Sequence, residues 1–309
     1  MHMADALISP VVGGVMLAAS TGTIAYSVSK LKDGLEEKKI PLMGIVGAFV
    51  FSAQMINFTI PATGSSGHIG GGILLAALLG PYAGFLVITS VLLIQALFFG
   101  DGGLLALGCN IFNLGFFTCF VAYPLIYKPI QKKGISPKTI TIGAILAVVI
   151  GLQLGAFGVV VETLASGKTE LPFSTFTLLM QPIHLAIGLI EGIVVSSVLC
   201  FIFKFSPEIL ENALSSGENV GESKKRIVIG LLLLTIFTGG FLSLFVSENP
   251  DGLEWAIRSV TGAPKLMERE PAKVGTSISG IVGGLITLGF TCATGFGITK
   301  LKRKKSCRN

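Results

Sequence analysis

Of 309 residues, 51% are apolar and only 13% charged, with a mean hydropathy of +0.79. A soluble domain of this length would need a charged exterior that the sequence lacks, so the composition points to an integral membrane protein. The net charge of +6 does not indicate a nucleic-acid partner, because the cations sit in short clusters between apolar runs.

The chain opens Met1-His2-Met3-Ala4-Asp5, and a first apolar run spans about Asp5–Ser29. No basic stretch precedes it and no small-residue cleavage site follows, so no cleavable leader is expected and Met1 keeps its amine. Clusters at Lys30–Lys39, Lys128–Lys138, Lys204–Arg226 and Lys300–Arg308 hold most of the 23 Lys and Arg. Positive loops stay in the cytoplasm, which places the N-terminus outside and the C-terminus inside. The second run, about Pro41–Phe58, returns outward, leaving Thr59–Gly72 at the outer surface. The run Leu104–Tyr127 must head inward, because a basic loop follows it. Residues 69–103 therefore cross an even number of times. Gly80-Pro81, a turn signal, divides them into two crossings, the first short, with a re-entrant loop as the alternative.

Runs at about 139–161, 174–203, 226–246 and 278–299 bring the expectation to nine spans in an all-α membrane fold. The polar stretch Ser206–Ser223 reads as a linker. The expected organisation is thus a seven-span part at 1–205, a cytoplasmic linker at 206–225 and a two-span part at 226–309. An outer loop between the last two spans, Ser247–Val274, carries Asn249-Pro-Asp-Gly-Leu-Glu-Trp255. The five cysteines show no CxxC spacing and read as small apolar residues.

His2 behind a free amine offers three nitrogens in a row: the amine, its own amide and its imidazole. Amine and amide close a five-membered chelate ring, and amide and Nδ1 close a six-membered one. Three nitrogens in one plane suit Ni(II) or Cu(II), with Co(II) also accommodated. The fourth corner falls to His68, the other histidine near the outer surface, in a loop that glycines 64, 67 and 70–72 allow to fold tightly. The expected metal donors are therefore Met1, His2 and His68. His184 lies in a membrane run seven residues before Glu191, on one helix face. With Glu162 these form a candidate intramembrane polar site, since ionisable groups at membrane depth are costly. Ser166-Gly-Lys-Thr169 mimics the end of a phosphate-binding loop, but Glu162 stands where that motif needs glycine. With no nucleotide motif, any ATP-driven work belongs to partner chains.

Met1-His2-Met-Ala-Asp5, Asn57-Phe58 with Gly67-His68, Gln95-Ala-Leu-Phe-Phe-Gly-Asp-Gly-Gly-Leu-Leu-Ala-Leu-Gly108 and His184-Leu-Ala-Ile-Gly-Leu-Ile-Glu-Gly192 resemble the cobalt/nickel substrate-specificity subunits (CbiM/NikM) of energy-coupling-factor transporters. The resemblance covers about residues 1–205. The back part, with Pro250-Asp-Gly-Leu-Glu-Trp255, resembles the two-span PDGLE (CbiN/NikN) component. The resemblance implies seven helices in the front part, a metal site from the Met1 amine, the His2 amide and imidazole and the loop histidine, and a loading role for the PDGLE part. It also implies partners: a transmembrane coupling subunit and cytoplasmic ATPases. Met3-Ala4 departs from the commonest family start, at positions that supply no ligand side chain.

Asp5, Asn57 and Ser65 are candidates to orient an imidazole from outside the ligand set, on their nearness along the chain. The expected function is capture of external Ni²⁺ or Co²⁺ for import, with the choice of metal open and no resident cofactor. The alternative is an ion-coupled secondary transporter or channel using Glu162, His184 and Glu191. A third reading is a metal sensor that binds without transporting. No nucleophile–base pair or zinc motif suggests an enzyme.

Overall fold

The computed structural model describes residues 2–32, 35, 37–215, 224–262 and 273–306. Among these, seven helices are long and apolar enough to cross a bilayer: Pro10–Leu31, Pro81–Phe99, Leu107–Lys132, Pro137–Ser166, Phe173–Phe205, Val228–Phe245 and Ser279–Leu301. Two further runs counted from the sequence form shorter helices.

Helix α1 (Pro10–Leu31) begins where Ser9 Oγ accepts the Val12 N–H at 3.3 Å and Pro10 pre-sets the first turn. Helix α2 (Ile40–Gln54) is buried on nearly every side. An apolar run with no polar face suits that position, because neighbours surround it. The hairpin β1 (Phe58–Ile60) and β2 (Ser65–Gly67) follows, pairing Phe58 with Gly67 and Ile60 with Ser65.

Helix α3 (Gly72–Leu79) has only eight residues, about 12 Å at 1.5 Å per residue, against a hydrocarbon core of about 30 Å. It begins inside the bundle. Glu191 Oε1 accepts the Gly71 N–H at 2.9 Å, and Gln54 Nε2 donates to the Gly70 carbonyl at 2.7 Å. These bonds satisfy backbone groups that a helix start would otherwise leave bare in an apolar interior. Gly71 takes φ +77° there, open to glycine without strain. At its other end Leu78 and Leu79 share a cleft with Leu31, Leu35 and Lys39, on the face of the basic loops. Gly80, at φ +83°, turns the chain into α4 (Pro81–Ile94), whose π-helical extension ends at Phe99. Gly84 lets the two helices touch: a Cβ there would sit 2.8 Å from the Ala76 nitrogen. Residues 72–99 therefore form a half-helix and a longer helix that turn back on each other at Gly80.

The next span joins α5 (Leu107–Ile111), a π-helical stretch at Phe112–Tyr127 that holds Pro124, and α6 (Lys128–Lys132). Helix α7 (Pro137–Ser166) opens with a reciprocal Ser136/Thr139 capping box, and α8 (Phe173–Phe205) packs along it. One expectation is corrected next. Part of the linker read at 206–225 is helix α9 (Pro207–Ser215), with Ile209 and Leu210 buried against the bundle. Spaced polar residues hid a short amphipathic face, Ile209-Leu210-Ala213, that docks between α3 and α8. Residues 216–223 lie outside the described set.

In the back part, α10 (Lys224–Ile236) continues through Phe237–Phe245, α11 (Gly252–Thr261) is a short amphipathic helix, and α12 (Lys273–Ser306) closes the chain. Helices α10 and α12 lie against α2. Ser52 Oγ donates to the Gly280 carbonyl at 3.1 Å, and a Cβ on Gly239 would stand 3.3 Å from the Gly280 carbonyl carbon. Close backbone approach through small residues is how membrane helices associate without a hydrophobic drive.

Candidate metal centre

The site is built on three loops at the face opposite the basic clusters. The first is the N-terminal segment. The main chain of Met3 is held in both directions: its N–H donates to Asn110 Oδ1 at 2.8 Å, and its carbonyl accepts from Asn110 Nδ2 at 3.2 Å and Gly103 N at 2.9 Å. The Met3 side chain is wholly buried. Asp5 Oδ1 accepts the Ala106 N–H at 3.0 Å, and Gly103 packs so closely on Asp5 that no side chain fits there. Residues 101–110 are thus a mould that fixes where His2 emerges.

The second loop is the β1–β2 hairpin, which brings His68 to His2. The two rings stack with centroids 4.8 Å apart and planes 23° from parallel. Two histidines 66 positions apart in sequence meet as the spacing of glycines suggested. The His2 ring is 6% exposed and its Nδ1–H donates to Asp101 Oδ1 at 3.0 Å, while its buried Nε2 has no partner. His68 is 8% exposed, with Nδ1 directed at the Ile69 carbonyl at 3.3 Å. Burial, then neighbouring positive charge including His2, pushes the His68 pKa well below 6.5 and keeps its ring neutral. A neutral imidazole is the form that binds a metal.

The third loop belongs to the back part. The segment Asn249–Gly252 lies along the free side of β2: Ser66 N–H donates to the Pro250 carbonyl at 2.7 Å, Ser66 Oγ donates to the Asn249 carbonyl at 2.8 Å, and Ser66 bridges Asp251 in parallel sense. Asp251 then caps α11, its Oδ1 accepting the Glu254 N–H at 2.9 Å. Burial opposes its ionisation, but nearby positive charge and the Glu254 N–H hold its carboxyl well below the usual carboxylate range. The motif Pro-Asp-Gly-Leu-Glu therefore does local work: a carbonyl for β2, a cap for α11 and a glycine where the chain passes a ring.

The orienting residues differ from those expected. Asp5 holds the 106 backbone, Asn57 accepts the Ser247 N–H on its carbonyl at 2.8 Å, and Ser65 Oγ donates to main-chain carbonyls of Ser66 and Pro250. The carboxylate on a site imidazole is Asp101. Its signal was present, an acid among glycines at the end of an apolar run, but nearness along the chain favoured Asp5.

The three intramembrane groups also part company. Asn113 Nδ2 donates to Glu162 Oε2 at 2.7 Å and approaches the Met3 sulfur at 3.9 Å. His184 Nδ1–H donates to the Met180 carbonyl at 2.8 Å, and Glu191 caps the entry to α3. All three are buried. They serve three places, and His184 is the one that shares a small cavity with His68, Gly67, Gly70 and Gly252. Among the described residues no three His, Cys, Asp or Glu side chains converge on a metal-sized site.

Residues 2–209 match the family described as cobalt uptake substrate-specific transmembrane region (CbiM), and residues 225–273 match the PDGLE domain. A protein of Archaeoglobus fulgidus named "Putative fused nickel transport protein NikMN" is 31% identical over 98% of this chain and 99% of its own length. The "Fused nickel transport protein NikMN" of Rhodobacter capsulatus is 34% identical over 68% of this chain and 64% of its own. Among solved structures, a truncated transition metal transporter superposes with a TM-score of 0.58 at 31% identity, covering 66% of this chain and 99% of that one.

Proposed function

The chain belongs to the CbiM family of cobalt-uptake transmembrane proteins, joined to a PDGLE domain, and on that premise we propose that it is the ion-capturing subunit of an ATP-driven importer for Ni²⁺ or Co²⁺. It is a multi-pass membrane protein of cobalt/nickel transport. The finer reading is that the ion arrives from outside and is held in a plane by the Met1 amine, the His2 amide and imidazole, and His68. The observation that carries it is the buried stack of the His2 and His68 rings, with His68 held neutral.

The residues assign the steps. Asp101 holds the His2 ring through Nδ1–H before the ion arrives. Chelation through Nδ1 requires the ring to let go of Asp101 and carry its proton on Nε2 instead, and ligation by the amide nitrogen releases the amide proton, for which Asp101 is the nearby base. The ring then turns toward its own amide, and His68, already neutral, offers a lone pair without a proton cost. The segment Asn249–Gly252 covers the hairpin, so it lifts for loading and settles afterwards, which gives the PDGLE part its assisting role. Energy comes from a separate coupling subunit and cytoplasmic ATPases, since this chain carries no nucleotide motif. Apolar side chains exposed on α1, α7 and α8, such as Val11, Leu146 and Ile193, provide faces for lipid and for that subunit.

The test is an alanine inserted between Met1 and His2, which lengthens the chelate without touching the bundle. Tight Ni²⁺ or Co²⁺ binding to the purified protein should be abolished, as it should in His68→Ala. Unchanged affinity in both variants removes this site.

A further inference from the structure

At the face of the basic clusters, opposite the metal centre, the ends of four helices meet around one cleft. Leu31 closes α1, Leu42 and Met43 lie in the first turn of α2, Leu78 and Leu79 end α3, and Ala83 lies in the first turn of α4. Ends of membrane helices mark the level where hydrocarbon gives way to headgroups, so the cleft sits at that boundary. Its volume is about 580 Å³, within the range of small-molecule sites. Its walls are apolar but for Lys39 and Asn212, and among the described residues Lys39 is the one charged side chain that lines it. Lys39 is half-buried, and among the described residues no carboxylate pairs with its ammonium. Helix α4 adds positive potential. It starts at Pro81 without a side-chain cap, leaving N–H groups of its first turn without helical acceptors beside Ala83. Helix α9 supplies the remaining wall through Ile209 and Ala213.

We propose that this cleft binds one anionic phospholipid from the leaflet on the side of the basic clusters, its acyl chain against Leu42, Leu78 and Leu79 and its headgroup at Lys39. Each half of the cleft calls for one half of that molecule. A free phosphate ion meets the ammonium but leaves the leucines facing water. A neutral hydrocarbon covers the leucines but leaves the ammonium unmatched. Basic pockets between membrane helices, on the side where positive loops reside, take up anionic headgroups. Bound there, the lipid joins α9 to the ends of α1 and α2, so it holds the start of the connection to the back part against the front part.

The test is native mass spectrometry of the full chain in detergent, titrated with dioleoyl phosphatidylglycerol or with dioleoyl phosphatidylcholine, which has the same chains and no net charge. The intact protein should retain one phosphatidylglycerol per chain in preference to phosphatidylcholine. Lys39→Gln should weaken that retention roughly fivefold, the share that one cation contributes at an anionic membrane surface, and leave phosphatidylcholine unaffected. Lys132→Gln, at an exposed cation on the same face but outside the cleft, should change neither. Ala213→Trp fills the cleft and should abolish the retained lipid. Lys39→Gln leaves the cleft's shape alone and carries the test if Ala213→Trp does not fold. Glycerophosphoglycerol, the headgroup without chains, should not displace the bound lipid. Equal retention of the two lipids would overturn the proposal, as would equal losses in Lys39→Gln and Lys132→Gln. Displacement by the headgroup alone would also overturn it and make the site one for a free phosphate ester. Retention of neither lipid would overturn it and leave the cleft to a helix of the coupling subunit.

Discussion

A single carboxylate sets the His2 ring. Asp101 holds Nδ1 at 3.0 Å from a loop that also fixes Met3, so Asp101→Ala should leave the fold intact and weaken Ni²⁺ binding roughly 10- to 100-fold, as loss of a ligand's orienting partner does. Competition titration with a chelator measures it, and affinity unchanged within error would dismiss the role. His68 gives a second residue-scale prediction. Its folded pKa lies below 6.5, so the unfolded chain takes up the proton first as pH falls. The stability contributed by a neutral His68 is complete above pH 6.5 and is lost as pH falls through the depressed value. The metal-free protein should lose melting temperature on acidification below 6.5, and His68→Gln should lose less; parallel decline in the two would refute this. At this scale the sequence was informative where chemistry is local. His2 beside an amine and His68 among glycines announce themselves. Asp101 does not, because its partner lies 99 positions away, a contact that only the folded loop creates.

Among the elements, α3 depends on a residue far from it. Glu191 Oε1 receives the Gly71 N–H in an apolar interior. Glu191→Leu leaves that donor bare and should cost about 1–3 kcal/mol, read as a lowered melting temperature in detergent, while Glu191→Gln keeps an acceptor oxygen and should cost less. Equal destabilisation by both would mean that charge, not capping, matters. Charge parity along the chain already asked for an even number of crossings between residues 69 and 103, with two crossings, the first short, or a re-entrant loop as the options, and the glycines there signalled irregular backbone. The half-helix and its cap were not legible, since they need α8 in place. The same holds for α9, whose Ile209 and Leu210 look incidental in a polar stretch until α3 offers them a surface.

For the whole molecule, the two parts are joined by more than a tether. Helices α10 and α12 pack on α2, and Asn249–Gly252 pairs with β2. A chain cut between Ser215 and Lys224, with both pieces co-expressed, should therefore copurify and still take up labelled nickel or cobalt when partner subunits are present. The front piece alone should bind metal but transport slowly, lacking the segment that covers the hairpin. Transport at the full rate by the front piece would remove the assisting role. The two-part plan was readable from charge clusters and the change in composition near residue 206. The contact between the parts was not, because close-packed glycines such as Gly239 and Gly280 look the same in sequence whether they face lipid or each other.

The half-helix α3 also constrains how the protein is made. Eight apolar residues are too few to be taken into a bilayer as a span of their own. The segment must enter together with α4, as one hairpin turning at Gly80, whose backbone contacts at Gly84 and Ala76 bind the pair before the rest of the chain exists. Its opening turn then waits, unsatisfied, for a carboxylate synthesised 120 residues later. During translation the metal centre therefore cannot assemble in chain order: His2 and His68 emerge first, yet the floor beneath them locks only when α8 arrives. A nascent chain stalled before Glu191 should keep its second and third crossings open to the ribosome's surroundings, and one stalled beyond it should not.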